Sequence, residues 1–201
     1  MKMIKILPIT IAALLTTGTA SAAVVSFSPT VAQISAPASV TNVGPGSNTH
    51  ILTFDEAQNY LLTADLQTDS GIISAGTRIS SHMVFLNRAS GGGSLSLSGS
   101  VTFSEMILGT MTSLHGSLLV LSDFLGSPTI YTNFDNRGLE FNDSSSFLGT
   151  TLSVSLNVTQ PGDWMRVITA APATVPVPAS FALMGLALAS LVGLRRRRRS
   201  A

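Results

Sequence analysis

The chain has 201 residues and a formal net charge of +1, but its ends carry most of the positive charge. Lys2, Lys5 and five C-terminal arginines supply seven of eleven basic residues, and between them stand four arginines, ten acidic residues and no lysine, a net charge of −6. Such a body argues against nucleic acid and anionic lipid as partners, which need a basic patch, and the absence of cysteine excludes disulfides and thiolate metal sites.

Residues 1–22 hold Lys2 and Lys5, an apolar stretch over 6–15, and the small-residue site Ala20-Ser21-Ala22. This is the layout of a secretory signal peptide cleaved after Ala22. Pro8, inside the apolar stretch, suits a transient export signal better than a permanent membrane helix. About 150 residues follow before the C-terminal segment, enough for one domain without covalent staples. That mature domain is expected over 23–172.

Short strands are predicted at residues 24–28, 49–54, 61–66 and 71–74, with a longer one over 78–86. Thr53-Phe54-Asp55-Glu56 also matches a capping box, so a helical turn running to Tyr60 is an alternative there. The clearest period follows the glycine connector at 91–93. Leu95, Leu97, Gly99, Val101 and Phe103 alternate with Ser94, Ser96, Ser98, Ser100 and Thr102, one apolar face and one hydroxyl face. Gly99 marks a bulge or a close backbone approach.

Apolar segments at 106–111 and 114–121 come next, and Ser122-Asp123-Phe124-Leu125-Gly126 suits a capped helical turn closed by glycine. After segments at 130–134 and 139–141, a second clean strand places Leu148, Leu152, Val154, Leu156 and Val158 on one parity. Thr151, Ser153, Ser155 and Asn157 take the other. A turn at 160–163 leads to a final strand over 164–169. Short strands with turn residues every 8–12 positions predict an all-β domain, an antiparallel β-sandwich of jelly-roll-like type.

Residues that carry chemistry are sparse. His50, His82 and His115 lack paired ligand spacing, and His115-Gly116-Ser117 is not a nucleophile elbow. Asp135, Glu140 and Asp143, with Asn133, Asn136 and Asn142 among them, are weak candidates for Ca²⁺, against which turn formation is the favoured reading. Asp55-Glu56 offers half of a glycosidase carboxylate pair with nothing to select its partner. Trp164, Tyr60 and Tyr131 are candidates for stacking on sugars, against which ordinary core packing is the alternative, since aromatics make up 6% of the chain. No catalytic residue, metal or cofactor is assigned.

The C-terminus is more specific. Val175-Pro176-Val177-Pro178-Ala179-Ser180 is a stiff extended spacer. An uncharged stretch over 179–194 follows, about 24 Å long as a helix. The block Arg195, Arg196, Arg197, Arg198 and Arg199 then acts as a stop that keeps the C-terminus cytoplasmic. These parts predict a spacer and sorting motif at 173–178, a single transmembrane helix at 179–194 and an arginine-rich tail at 195–201.

In this order they resemble a PEP-CTERM sorting tail, with Val175, Pro176, Val177, Pro178 and Ala179 as the motif. Val177 stands where Glu is usual in the family, as in its Val-Pro-Leu-Pro-Ala variants. The resemblance implies a Gram-negative host that makes exopolysaccharide, a membrane-held precursor and recognition by exosortase, a membrane protease-transpeptidase. Residues 81–86, 136–143 and 161–167 are similar to segments of one type of PEP-CTERM protein body, which implies a shared fold and adds no chemistry.

The expected function is therefore that of an exported, non-enzymatic protein of the cell surface or exopolysaccharide matrix. A carbohydrate-binding or Ca²⁺-dependent adhesive module is the alternative, and a surface hydrolase the third reading.

Overall fold

The computed structural model describes residues 22–41, 44–113, 117–132, 137–159 and 162–173. All of them lie in a unit spanning Ala20–Ala173. Ala20, the sorting motif at Val175–Ala179, the predicted span at 179–194 and Arg195–Arg199 fall outside the described residues, as do His115, Asp135 and Pro161. Ala22 is buried just before the first strand. Among the described residues, no helix is long and apolar enough to cross a membrane.

The structure is mostly β, with sheets rich in antiparallel pairs and one short helix. The first sheet runs β1 (Val24–Phe27), β9 (Leu95–Phe103), β13 (Thr151–Val158) and β12 (Ser144–Leu148), in that spatial order. The second runs β10 (Ile107–Met111), β14 (Asp163–Ala170), β8 (Arg78–Leu86), β4 (Ile51–Asp55) and β2 (Val31–Gln33). A short strand β5 (Tyr60–Leu61) continues the β4 side of β8. Two small pairs join β3 (Ser39–Val40) to β11 (Ile130–Tyr131) and β6 (Leu66–Thr68) to β7 (Gly71–Ile73).

Period two explains the first sheet. Val101 and Phe103 of β9 and Leu152, Val154, Leu156 and Val158 of β13 are buried, while the hydroxyls between them face outward. Cross-strand pairs join those hydroxyls: Ser98 Oγ to Ser155 Oγ at 2.8 Å, and Ser96 Oγ to Asn157 Oδ1 at 2.9 Å. The inward residues share one apolar cluster with Ile51, Val84, Leu86, Met165 and Val167 of the second sheet. Each fully buried aliphatic side chain in it stabilises the fold by about 1.5–3 kcal/mol. Gly99 is a close approach: a Cβ there would meet Val31 Cγ2 at 2.6 Å and Ser28 Oγ at 2.7 Å. Its bare backbone lets the β1–β2 corner pass over β9.

The second sheet is buried on both faces. Phe54, Ile79, Met83, Phe85, Trp164 and Ile168 form a second cluster with Leu119, Leu125 and Tyr131. The cover comes from α1 (Ser117–Leu121) and a following 3-10 turn (Asp123–Gly126). β8 and β14 are accordingly buried almost without a break, and the polar side chains they carry, among them Ser81, His82, Arg166 and Thr169, are buried with them.

Several expectations are corrected. The capping box at Thr53–Glu56 starts no helix: Thr53 pairs with Val84 inside β4, and the Glu56 side chain is held elsewhere. Leu148 does not join the core parity of β13; it ends β12 and is 88% exposed. Pairing is also not purely antiparallel, since β2 with β4 and β3 with β11 run parallel.

Candidate functional site

β4 ends at Asp55 and Glu56 follows it, and the extended chain sends the two neighbouring carboxylates to opposite faces of the second sheet. Asp55 turns toward the first sheet, where His82 Nδ1 lies 2.7 Å from its Oδ1. The buried His82 ring rests against Phe103 at 4.5 Å, and its Nε2 lies 3.2 Å from Thr169 Oγ1. This Asp–His–Thr chain has the order of a hydrolytic triad, but Thr169 is fully buried among core side chains, where a substrate has no access. His50 sits in a loop, with Thr49 Oγ1 2.8 Å from its Nδ1.

Glu56 points the other way and is completely buried. Arg166 holds it in a two-pronged pair, Nε to Oε2 at 2.7 Å and Nη2 to Oε1 at 2.8 Å. Ser81 Oγ donates to Oε2 at 2.5 Å, and the Tyr131 hydroxyl donates to Oε1. Four donors thus fill the acceptor sites of the carboxylate. Burial alone would raise the Glu56 carboxyl, but the Arg166 charge and these hydrogen bonds outweigh it and hold the group below its ordinary value. Burial likewise works against the Arg166 cation, and Glu56 overcomes it. Burial and the adjacent carboxylate push the Tyr131 phenol upward, so it stays a donor.

The free prong of Arg166 fastens the covering segment. Its Nη1 donates to Leu119 O at 2.9 Å and to Ser122 Oγ at 2.5 Å. Ser122 Oγ in turn donates to Leu118 O at 2.7 Å and caps nothing, contrary to the capped turn expected at Ser122–Gly126. Arg137 Nη1 binds Asp123 at 2.8 Å, and its guanidinium lies 5.2 Å from the Tyr131 ring centroid and 5.4 Å from that of Trp164. Gly126 makes room for this: a Cβ there would meet the Tyr131 hydroxyl at 2.7 Å and Glu56 Oε1 at 2.8 Å.

So fixed, α1 and the 3-10 turn form one wall of a cleft of about 520 Å³. The other wall is the chain from Tyr60 to Gln67. Tyr60 and Phe124 meet across it, ring centroids 5.7 Å apart and tilted by 51°, and Phe124 is 49% exposed. Asp65 and Gln67 bring polar groups to the lining, and Leu118 and Leu121 bring apolar ones. Asp65 uses Oδ1 to accept from Ala75 N at 2.9 Å. Of the aromatics singled out in the sequence, Tyr60 lines the cleft, whereas Trp164 and Tyr131 are buried.

The weak Ca²⁺ candidates behave as turn formers where they are described. Asp143 spends both oxygens on backbone donors, Oδ1 on Asn157 N and Oδ2 on Glu140 N, each at 2.7 Å. Asp135 lies outside the described residues, among which no three metal-ligating side chains gather. Nearby, Asp163 is buried, and burial pushes its carboxyl up to about 8, reinforced by the charges of Asp143 and Glu140 and opposed by an Asn157 backbone hydrogen bond.

Sequence reasoning missed the Glu56–Arg166 centre, whose members stand 110 residues apart. The one signal was an arginine inside the otherwise apolar run Trp164-Met165-Arg166-Val167-Ile168 of a lysine-free body.

Residues 174–199 match the family model of the PEP-CTERM protein-sorting motif. The chain carries a PEP-CTERM sorting motif at its C-terminus. That motif implies an exported protein, processed by exosortase and sorted to the surface. The PEP-CTERM match begins where the body ends, and no curated protein and no solved structure matches the chain.

Proposed function

We propose that the mature body is a non-enzymatic carbohydrate-contacting module, a jelly-roll-like sandwich that the PEP-CTERM tail delivers to the cell surface or exopolysaccharide matrix. The cleft beside Tyr60 and Phe124 carries this reading. An aromatic pair with partly open faces suits the C–H faces of a sugar ring. Asp65 and Gln67 supply the few directed polar groups that fix such a ligand, and the cleft has the size of small-ligand sites. Its described lining includes a carboxylate and no cation, which favours a neutral saccharide over an anionic one.

The hydrolase reading has less support. Glu56 is saturated and held as a carboxylate by a buried guanidinium, which does not suit a proton-donating acid. Asp55 is committed to His82.

The test is calorimetric titration of the exported protein with exopolysaccharide fragments from its host. Phe124→Ala is expected to weaken binding about ten-fold, equivalent to about 1.4 kcal/mol, and Tyr60→Ala to weaken it in the same direction. Undiminished binding by both variants would remove the cleft from the account.

A further inference from the structure

We propose that the protein self-associates through β12, the open edge of the first sheet, paired antiparallel with β12 of a second copy. An unprotected edge strand presents a row of free backbone donors and acceptors, and proteins blunt such edges with bulges, charges or proline. Among the described residues the other outer edges carry such devices. The β1–β9 register shifts between Val24 and Ser26, and the β10–β14 register shifts between Ile107 and Gly109. The β2 edge is three residues long, and Gln33 at its end bonds the Asp55 carboxylate at 3.3 Å.

β12 lacks all of these. It pairs with β13 in unbroken register from Ser144 opposite Ser155 to Leu148 opposite Thr151. No charge and no proline occurs from residue 144 to 159. Its apolar residues are open as well, Phe147 at 37% and Leu148 at 88% exposure.

Charge selects the occupant. Two bodies of net charge −6 repel unless their contact is neutral. Residues 94–104 and 144–159, which form β9, β12 and β13, hold no ionisable side chain, so here two acidic copies approach with no charges opposed. A two-fold axis normal to the sheet through Ser146 keeps the outward faces aligned. It sets Ser146 against its equivalent, Ser144 against Leu148 and Ser145 against Phe147 of the second copy, and joins two four-stranded sheets into one of eight. A five-residue contact is small, so the dimer is weak in dilute solution and gains from the high local concentration at a crowded surface. This inference does not depend on the saccharide reading.

The chain has no cysteine, which gives a clean assay. Ser146→Cys in the full-length protein, expressed in its host and treated with a mild oxidant, is expected to run as a homodimer on a non-reducing gel. Ser26→Cys, at the β1 edge, is expected to stay monomeric. Sedimentation of the exported wild type is expected to show a concentration-dependent dimer, and Ser146→Lys, at an exposed position, to raise its dissociation constant about ten-fold by opposing like charges. A monomeric Ser146→Cys, linkage to other proteins instead of itself, or equal association by Ser146→Lys would overturn the proposal.

Discussion

Asp55 and Glu56 are neighbours in sequence, yet Asp55 meets His82 between the sheets while Glu56 meets Arg166 on the opposite face of β8. One end of β4 thus ties together three layers of the body. The Glu56–Arg166 pair spans the apolar cluster beneath α1 and fixes the segment that walls the cleft.

Glu56→Gln is expected to lower stability by about 3–5 kcal/mol, because it leaves a buried arginine without its countercharge. Combining Glu56→Leu with Arg166→Met should cost less than the sum of the two single changes, since a paired apolar replacement strands no charge. Urea unfolding of the parent, the three single variants and the double variant tests this. Additive losses would show that the two side chains act independently.

The same pair sets an acid limit. Its carboxyl is held below the ordinary 4.5, so its contribution is present above that value and is lost as pH falls through the folded-state value. Unfolding midpoints should therefore drop below pH 4.5 in the parent, with a shallower drop in the Leu–Met double variant.

Asp163 acts with the opposite sign. Its carboxyl rises from 3.8 to about 8 in the folded protein. Between those values the folded state holds a proton that the unfolded state has released, so stability falls as pH rises through this window. Asp163→Asn should raise the urea midpoint at pH 8, change it little near pH 4, and flatten the slope between. A variant no more stable than the parent at pH 8 would contradict the assignment.

Strand parity makes a sharper contrast within β13. Leu152→Ala and Leu156→Ala should each cost about 2–5 kcal/mol, whereas Ser153→Ala on the outer face should change stability by less than about 0.5 kcal/mol. Equal losses from both parities would refute the register.

In the tail, Pro178→Ala should impair processing more than Val177→Ala. A membrane protease needs extended backbone, and the prolines enforce extension where the Val177 side chain offers no carboxylate. Precursor and mature bands in an exosortase-containing host give the comparison. Normal processing of Pro178→Ala would show that extension at this residue is not read.

Much of the first sheet was legible because one of its faces is wet. In β9 and β13 hydroxyls alternate with aliphatics, and solvent on one side makes that period visible. The bounds of β8 were also readable, from residue 78 to 86, as a stretch free of glycine and proline ahead of the glycine connector. Pairing was not. Val31 opposite Ile51 and Tyr131 opposite Val40 are parallel contacts whose partners no local pattern names. Leu148 matched the parity of Leu152, but the turn at Gly149 and Thr150 starts a new strand and resets which face is inside. The cleft was hidden for the same reason: Tyr60 and Phe124 meet only after Arg166, far along the chain, has fastened α1.

The most direct test of export and tail processing is intact-mass and terminal-peptide mass spectrometry of the mature protein from its own host. The mature protein is expected to begin at Ala23 and to end at or near residues 176–179, with any transferred group visible as added mass. A surface protein that still begins at Met1, or that retains Arg195–Arg199, would contradict this expectation.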